Sequence, residues 1–390
     1  MQILWANQTF PKTVTRTIFL AGPTPRTGNV ESWRPLAIEL LRTMGYDGWV
    51  FVPEPESGTW AAYDNQVEWE EEALNRADCI LFWVPRSGDL PGLTTNDEWG
   101  TWKQSGKVIW GAPIDAPSTR YQEHFAAKHG VPVSHSLQDT VTAALAQVGP
   151  GAERNGEECQ VPLCVWRKPE FQSWHNAQRR VGNRLDRCRV MWSLWVPFVG
   201  PPSTSRHLFM YALHVDVHIA AEERNKNNEI VLFRTDIASV VLIWPGPTMK
   251  ESRVVLVSEF RSPVRNPWAM VVEVPGGSSS KPSAMEQVAL SEVEEETGLK
   301  LSPDRLKCLG TKQLMATLSA HTSTVFAVTL TYAEVTALEN DRTIHGDVES
   351  TERTQIIVRS VQNIVDSPDL DWSTVGMILS ALRKIEDGLI

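Results

Sequence analysis

Three glutamates in the second half of the chain have a spacing that could bind a metal ion. Glu292, Glu295 and Glu296 stand at positions i, i+3 and i+4, so a helix would place them on one face. Three like charges this close repel one another, and carboxylate oxygens are the ligands that Mg²⁺ and Mn²⁺ prefer. A cation held there could neutralise a diphosphate and activate the attacking water. The alternative is an acidic helix face that is simply solvated.

Glycines flank these glutamates in positions that suit such a site. Gly276 and Gly277 precede the helix and let backbone approach a phosphate closely, while Gly298 follows it as a C-terminal cap. This order resembles the Nudix box, G-x5-E-x7-R-E-U-x-E-E-x-G-U, where U is aliphatic. The matching residues are Gly277, Glu292, Val293, Glu295, Glu296, Gly298 and Leu299.

Two positions depart from the box. Ser283 replaces its first glutamate and Ser291 replaces its arginine. The resemblance implies that these two residues pair in the family, so losing both avoids an unpaired buried charge but leaves Glu292 without its usual support. Metal-dependent hydrolysis is therefore predicted, with reduced or redirected activity left open. The alternative is a nucleotide sensor with a catalytically weak Nudix domain that regulates the first half of the chain.

Flanking segments indicate a branch of that family. VVLVSEFRSPV (residues 254–264) and EVPGG (residues 273–277) resemble the ADP-ribose pyrophosphatases, and the resemblance covers roughly residues 205–385. It implies that Arg261 and Glu273 hold substrate, with Arg224 a weaker candidate. It also implies a catalytic base in a later loop, either Glu349 or Glu352. Glu352 is preferred because it directly precedes the strand TQIIV.

Three segments near the N-terminus carry a second resemblance. They are FLAGPTPR (residues 19–26), EWEEEALNRADCILFWVPR (residues 68–86) and PGLTTNDEWGTW (residues 91–102). In this order they resemble the nucleoside 2-deoxyribosyltransferase family and its N-glycosidase relatives, over about residues 15–145. The residue that matches the family's nucleophile is Glu98.

The chemistry implied by this resemblance needs two carboxyl groups. Breaking a nucleoside C–N bond builds oxocarbenium character at C1′, which one carboxylate can trap while a second acid serves the leaving base. The implied roles are nucleophile for Glu98, acid for Glu70 or Glu71, a structural or substrate-orienting role for Asp78, ribose contacts for Asn96 and Asp97, and close backbone access at Gly22. The alternatives are that Glu98 is a dipole-favoured residue at a helix N-terminus, and that Glu70 and Glu71 face solvent.

The pattern of the first 147 residues predicts the frame for these groups. Short apolar runs at residues 17–21, 49–52, 79–84 and 107–111 alternate with amphipathic segments at 33–44, 66–76 and 97–104. Such alternation is typical of an α/β domain with a parallel sheet, flavodoxin-like or Rossmann-like, covered on both faces. Ligands in such sheets bind at the carboxyl ends of the strands.

The rest of the chain is predicted to form two further parts. Residues 148–204 are interpreted as a linker followed by a basic, tryptophan-rich lead-in. Its arginines, between Arg167 and Arg189, indicate either a nucleic-acid surface or simple packing with contacts to ligand phosphates or a partner subunit. Residues 205–390 are predicted to be an α+β Nudix sandwich that ends in an amphipathic helix at residues 374–385.

Composition limits the class of protein. The 390 residues carry a net charge of −10, which makes a nucleic-acid or anionic-membrane partner improbable. Five scattered cysteines fit a reducing compartment, and neither a secretory leader nor an apolar run of membrane length is seen, so we expect a cytoplasmic protein. Most of the sixteen tryptophans should be buried, while a few could stack on a base.

The two halves together predict a bifunctional, nucleotide-processing enzyme. One half would cleave or exchange an N-glycosidic bond, and the other would hydrolyse a nucleoside-diphosphate-linked compound with Mg²⁺ or Mn²⁺. ADP-ribose fits both halves, since breaking the glycosidic bond of NAD would release it. Both resemblances also imply a homo-oligomer that acts on a small nucleoside or nucleotide.

Overall fold

The chain folds into two compact units, residues 1–233 and residues 234–390. The computed structural model describes residues 1–25, 30–56, 65–197, 206–279, 283–346 and 352–389. The predicted linker and lead-in at 148–204 differ from this organisation, because the helices and strands of residues 154–197 belong to the first unit and do not lead into a separate domain. The second unit also begins later than the predicted residue 205, since the strand that starts at Arg206 pairs along its length with the one that ends at Pro197.

Unit 1 is built on a six-stranded parallel sheet, which confirms the predicted α/β architecture. The strand order is β1-β4-β3-β5-β6-β7. Its strands are β1 (Gln2–Trp5), β3 (Thr17–Ala21), β4 (Trp49–Val52), β5 (Cys79–Trp83), β6 (Val108–Gly111) and β7 (Val133–Ser134), and β2 (Thr13–Val14) lies apart from them. The edge strands β1 and β7 were not predicted, because they are short and only partly buried.

Five helices cover the two faces of this sheet. They are α1 (Arg34–Thr43), α2 (Gln66–Arg76), α3 (Leu93–Trp102), α4 (Arg120–His129) and α5 (Leu137–Val148). Alternate strand residues face opposite ways, so Ile18 and Leu20 pack with α1 and α5, while Phe19 and Ala21 pack with α2, α3 and α4. Both faces are therefore dry, as a parallel sheet requires.

Helix α3 begins earlier than predicted. The amphipathic pattern indicated a start at Asp97, whereas the helix starts at Leu93, preceded by Gly92 in the left-handed conformation with φ of 63°. Glu98 consequently lies in the second turn. The helix dipole favours a negative charge within the first turn only. The interpretation of Glu98 as a dipole-favoured N-terminal residue is therefore wrong.

The remainder of unit 1 is a small helical and antiparallel region. A three-stranded sheet has the order β11-β10-β9, with β9 and β10 antiparallel. The elements are β8 (Arg154–Asn155), α6 (Leu163–Trp166), α7 (Pro169–Arg180), β9 (Arg184–Pro197), β10 (Arg206–Ile219) and β11 (Arg224–Arg234). Two arginines of the predicted basic segment have acidic partners, since Arg184 pairs with Asp186 and Arg189 pairs with Glu71.

Unit 2 contains an eight-stranded mixed sheet with the order β16-β17-β12-β13-β19-β18, in which β14 also pairs with β13 and β15 with β12. Only the β12–β17 pair is parallel among the pairings described. The strands are β12 (Ile237–Trp244), β13 (Arg253–Phe260), β14 (Met270–Glu273), β15 (Gly276–Gly277), β16 (Lys307–Gln313), β17 (Thr322–Thr329), β18 (Ile344–His345) and β19 (Thr354–Ser360).

Helices cover this second sheet on both faces. They are α8 (Met285–Thr297), α9 (Tyr332–Asn340) and α10 (Trp372–Glu386). Apolar residues of α8 and α9 pack on one face, and those of α10 pack on the other. Strand β16 and helix α9 were not predicted, since β16 is mostly exposed and lacks apolar alternation. Among the described helices of both units, none is long and apolar enough to cross a membrane.

Candidate functional site

The carboxyl edge of the parallel sheet in unit 1 begins with a tight turn after β3. Gly22 has φ of 148°, and a Cβ there would lie 2.1 Å from the carbonyl oxygen of Trp83. Only glycine fits this position, because the ends of β3 and β5 meet there. The glycine was predicted to give a ligand close backbone access, and the structure adds that it lets two strand ends approach each other.

A buried arginine fixes that turn. Arg34, at the first position of α1, is 1% exposed and donates to the carbonyl oxygens of Leu20 at 3.0 Å and Gly22 at 2.8 Å. It also pairs with Glu54, after β4, at 2.6 Å. Charge-assisted bonds of this kind are strong when shielded from water. Neither residue was predicted, although a cation in the first turn of an apolar helix and an acid directly after a buried strand were visible signals.

Glu98 is held half-buried in this environment. The pKa of its carboxyl group is raised to about 8, chiefly by burial and then by the nearby carboxylates of Glu70 and Asp97, while Arg34 acts against the rise. Groups whose protonation is tuned in this way are frequent at functional sites. The structure thus brings together the predicted nucleophile and one of the two predicted acids.

Glu70 and Glu71 take different directions from α2. Glu70 is half-buried, accepts a hydrogen bond from Gln66 Nε2 at 2.7 Å and interacts with Glu98. Glu71 is exposed and pairs with Arg189 on β9. Successive residues of a helix point about 100° apart, which explains the separation. Of the two candidate acids, the structure places only Glu70 beside Glu98.

Asn96 and Asp97 are exposed on α3, two residues and one residue before the nucleophile candidate. Asn96 accepts a hydrogen bond from Arg86 Nη2 at 2.8 Å, which ties α3 to the loop after β5. Asp97 contributes to the raised pKa of Glu98 and so lies within its electrostatic range. Their proposed contacts with ribose hydroxyls stay a prediction.

Asp78 does not belong to this edge. It stands immediately before β5, at the amino end of the sheet, and is 6% exposed. Both of its oxygens are occupied, by Arg154 at 2.7 Å and 2.8 Å and by the backbone N–H groups of Thr17 and Leu163. Of the two predicted roles, Asp78 has the structural one, because a buried ion pair anchors residues 154–163 to the sheet through it, and the prediction that it orients or binds substrate is wrong.

In unit 2 the predicted metal-binding face lies against the glycine turn. The backbone N–H of Gly276 donates to Glu296 at 3.0 Å, and a Cβ on Gly277 would lie 2.5 Å from an oxygen of Glu292. Burial and neighbouring carboxylates raise the pKa of Glu292 to about 7 and that of Glu296 to about 9. Glu352 contributes to both shifts, so its carboxylate is within electrostatic range of this face.

The carboxylate oxygens of this helix face are suitable ligands for a divalent cation. Glu295 is exposed and raises the pKa of Glu292, so three carboxylates of α8 and Glu352 share one electrostatic environment. In the described part of the chain, no three His, Cys, Asp or Glu side chains converge closely enough to hold a metal ion. The oxygens are of the type that Mg²⁺ prefers, and their convergence would require side-chain rotation.

The predicted substrate residues of unit 2, Arg261 and Glu273, belong to a charged group at the paired ends of β13 and β14. Arg261 pairs with Glu259 at 2.7 Å and lies 3.9 Å from Glu273. Burial raises the pKa of Glu273, with Arg261 and Arg234 acting against it. Glu259, which is 7% exposed, and Arg234 were not predicted. Their signal was weak, since each is a single charged residue at or near the end of its strand.

The remaining candidates of the predicted Nudix-like part were Ser283, Ser291, Arg224 and Glu349. Ser283 and Ser291, the two departures from the box, are exposed and half-buried respectively. Arg224 belongs to unit 1, where it pairs with Glu222 at 2.6 Å on an exposed turn. The prediction that placed Glu349 as an alternative base lies outside the described residues.

Comparison with known proteins bears mainly on unit 1. Residues 15–116 match the family model described as nucleoside 2-deoxyribosyltransferase like, which confirms that resemblance for the N-terminal domain. No curated protein matches the chain in sequence. A solved structure described as an ADP compounds hydrolase aligns over 53% of this chain and 99% of its own, at 11% identity and a TM-score of 0.35. That likeness is too low to support an argument.

Proposed function

We propose that unit 1 cleaves or transfers the N-glycosidic bond of a nucleoside or nucleotide, with Glu98 as nucleophile and Glu70 as acid. The observation that carries the proposal is the half-buried pair Glu98 and Glu70, beside Arg34, within the region that matches the family model. Two carboxyl groups, one ionised and one protonated, are what a retaining mechanism at an anomeric carbon needs.

Burial of Glu98, together with repulsion between the two carboxylates, lets this pair keep one proton near neutral pH. In the reactive form the proton is on Glu70, and the positive charge that develops at C1′ favours ionised Glu98. A carboxylate oxygen of Glu98 then forms a bond to C1′ as the C1′–N bond breaks. The electron pair of the C1′–N bond leaves with the base, and the base takes the proton from Glu70. Water or a second base attacks C1′ next and releases Glu98.

For unit 2 we propose hydrolysis of a nucleoside-diphosphate-linked compound. Glu292, Glu295 and Glu296 would hold Mg²⁺ or Mn²⁺, which when bound supplies charge neutralisation for the diphosphate and acidifies a water molecule. Glu352 would accept the proton of that water. Arg261 and Glu273 would bind the substrate. The support is that burial and mutual repulsion disfavour the charged forms of Glu292 and Glu296 beside Gly276 and Gly277, a cost that a bound cation would relieve.

A second candidate for unit 2 is a nucleotide sensor that binds without hydrolysis and regulates unit 1. The observations that favour it are Ser283 and Ser291 in place of the charged pair of the box, and the carboxylates that do not converge in the described structure. Glu292 then lacks the arginine that would steady it. Turnover of ADP-ribose by the wild type and by Glu296→Gln, measured with binding, distinguishes the candidates. Equal, negligible rates with retained binding support the sensor.

The two activities would be consecutive if the glycosidic bond of a dinucleotide such as NAD were the first to break. The decisive experiment is mass spectrometry of products from a nucleotide panel with Mg²⁺. We expect Glu98→Ala to stop release of free base while diphosphate cleavage continues, and Glu296→Gln to do the reverse. If the wild type releases neither free base nor monophosphate, the proposed bifunctional enzyme is abandoned.

A further inference from the structure

Unit 1 contains a cavity that the proposed catalytic residues do not line. Its volume is about 540 Å³. One side is formed by the C-terminal end of α3 and the loop that follows it, and the other side by strand β9. The proposed reactive residues Glu98, Glu70 and Arg34 are not among its walls. The loop leads into β6 at Val108, so the cavity is at the amino edge of the sheet, opposite the edge where Gly22 lies.

Three indole rings line this cavity, and two are held in place by specific contacts. Trp195 donates from Nε1 to Ser193 Oγ at 3.1 Å, and its ring packs on Gly106, where a Cβ would lie 2.0 Å from the ring. Trp102 lies over the ammonium group of Lys107, 4.5 Å from Nζ to the ring centroid. The third, Trp192, is 49% exposed. Fixed aromatic walls lower the entropy cost of binding a flat ligand.

Both charged side chains of the described lining are already engaged by protein groups. Lys107 donates to the carbonyl oxygens of Leu74 and Asn75 at 2.8 Å and 3.0 Å, and Arg189 pairs with Glu71. The remaining polar groups are neutral amides and hydroxyls. They belong to Asn75, Thr101, Gln104, Ser105, Gln160 and Ser193. A mostly apolar cavity of this size with a few neutral hydrogen-bonding groups is typical of a small-molecule site.

We propose that this aromatic cleft binds a neutral, planar heteroaromatic molecule of the nucleobase or nucleoside class, at a site separate from the one around Glu98. Indole rings offer stacking faces that every base can use, and amide and hydroxyl groups can pair with ring nitrogens and exocyclic groups. Because Lys107 is directed to backbone carbonyls and Arg189 pairs with Glu71, neither cation of the described lining is directed at a ligand phosphate, which disfavours a phosphorylated ligand.

The test uses the full chain with Glu98→Gln, so that bound ligand is not turned over. Adenosine and uridine are titrated by calorimetry, with ribose 5-phosphate as the probe that lacks a ring. We expect saturable binding of a nucleoside and none of ribose 5-phosphate. Adding Trp192→Ala should weaken nucleoside binding about tenfold, the loss expected for one stacking partner. The matched control is Trp372→Ala, an exposed tryptophan of unit 2, which should change nothing.

Fluorine NMR of protein labelled with 5-fluorotryptophan localises the ligand. The Trp192 resonance, assigned by its absence in Trp192→Phe, should shift on addition of nucleoside. The proposal is overturned if nucleoside binds equally well to the Trp192→Ala protein, or if no nucleoside binds. It is also overturned if Trp192→Ala changes only the mass measured by light scattering, since the aromatic surface would then be an interface between copies of the chain.

Discussion

Arg34 and Glu54 form an ion pair of 2.6 Å in which the arginine side chain is 1% exposed and the glutamate 14%. The pair links the start of α1 to the loop after β4, and the same guanidinium holds the turn at Gly22. The shape of the proposed catalytic edge thus depends on a charge that is almost completely withdrawn from water. Removing one partner of such a pair is costly, because the other is left buried and unpaired.

Glu54→Ala should therefore destabilise the protein by about 3 kcal/mol, the usual loss for a broken buried pair. Urea unfolding followed by far-UV circular dichroism measures this change. Glu39→Ala is the control, since it removes an ion pair with Arg42 in which both side chains are more than half exposed. No measurable change is expected there. An equal decrease in the free energy of unfolding of the two variants would show that the buried pair contributes no more to stability than the exposed one.

Glu70 and Glu71 offer a matched pair of variants, adjacent in sequence and separated in space. Glu70→Gln should lower kcat/KM for release of a neutral base about 10²–10⁴-fold, the usual contribution of a general acid. Glu71→Gln should leave the rate within about twofold, because its carboxylate faces Arg189. Steady-state release of free base from a purine nucleoside measures both. A larger effect for Glu71 would reverse the assignment.

The pH dependence of the reaction should reveal the shared proton. The pKa of Glu98 is raised to about 8, so above that pH the pair loses its proton and both carboxyl groups are ionised. With a neutral leaving base, kcat/KM should fall above about pH 8, since no acid remains to protonate the base. With a pyridinium nucleoside, whose base leaves without a proton, kcat/KM should instead rise through the same pH. The same sign for both substrates would contradict the paired roles.

The same pKa has a consequence for stability. A glutamate whose pKa is raised on folding binds more protons in the folded state than in the unfolded state, so stability falls as pH rises from about 4.5 to about 8. Glu98→Gln removes this penalty, and its melting temperature should exceed that of the wild type at pH 9 by more than at pH 5. Differential scanning calorimetry at the two pH values provides the comparison. A constant difference would show that Glu98 is not the titrating group.

Much of the parallel sheet of unit 1 and its helices was predictable from the sequence. Buried parallel strands appear as continuous apolar runs, and α2 begins and ends at the residues that its amphipathic pattern predicted. The start of α3 was misplaced because Leu93, Thr94 and Thr95 carry no amphipathic signal, and α3 is nearly polar throughout its first turn. Asp78 was assigned to the wrong edge, because sequence alone does not show that Arg154 returns to it from 76 residues away. The Arg34–Glu54 ion pair was not predicted for the same reason, because its partners are distant in sequence.

The metal-binding proposal for unit 2 predicts that Mg²⁺ raises its stability. Glu292 and Glu296 repel each other and Glu352, so a bound cation would stabilise the folded state over the unfolded state. Ten millimolar Mg²⁺ should raise the melting temperature of the wild type by a few degrees, on the order of the 1 kcal/mol that such a shift represents. Glu296→Gln should abolish the response. Glu286→Gln, an exposed glutamate in the first turn of the same helix, should retain it. A response that is equal in all three proteins would show that Mg²⁺ binds elsewhere, and the acidic face of α8 would then be a solvated surface.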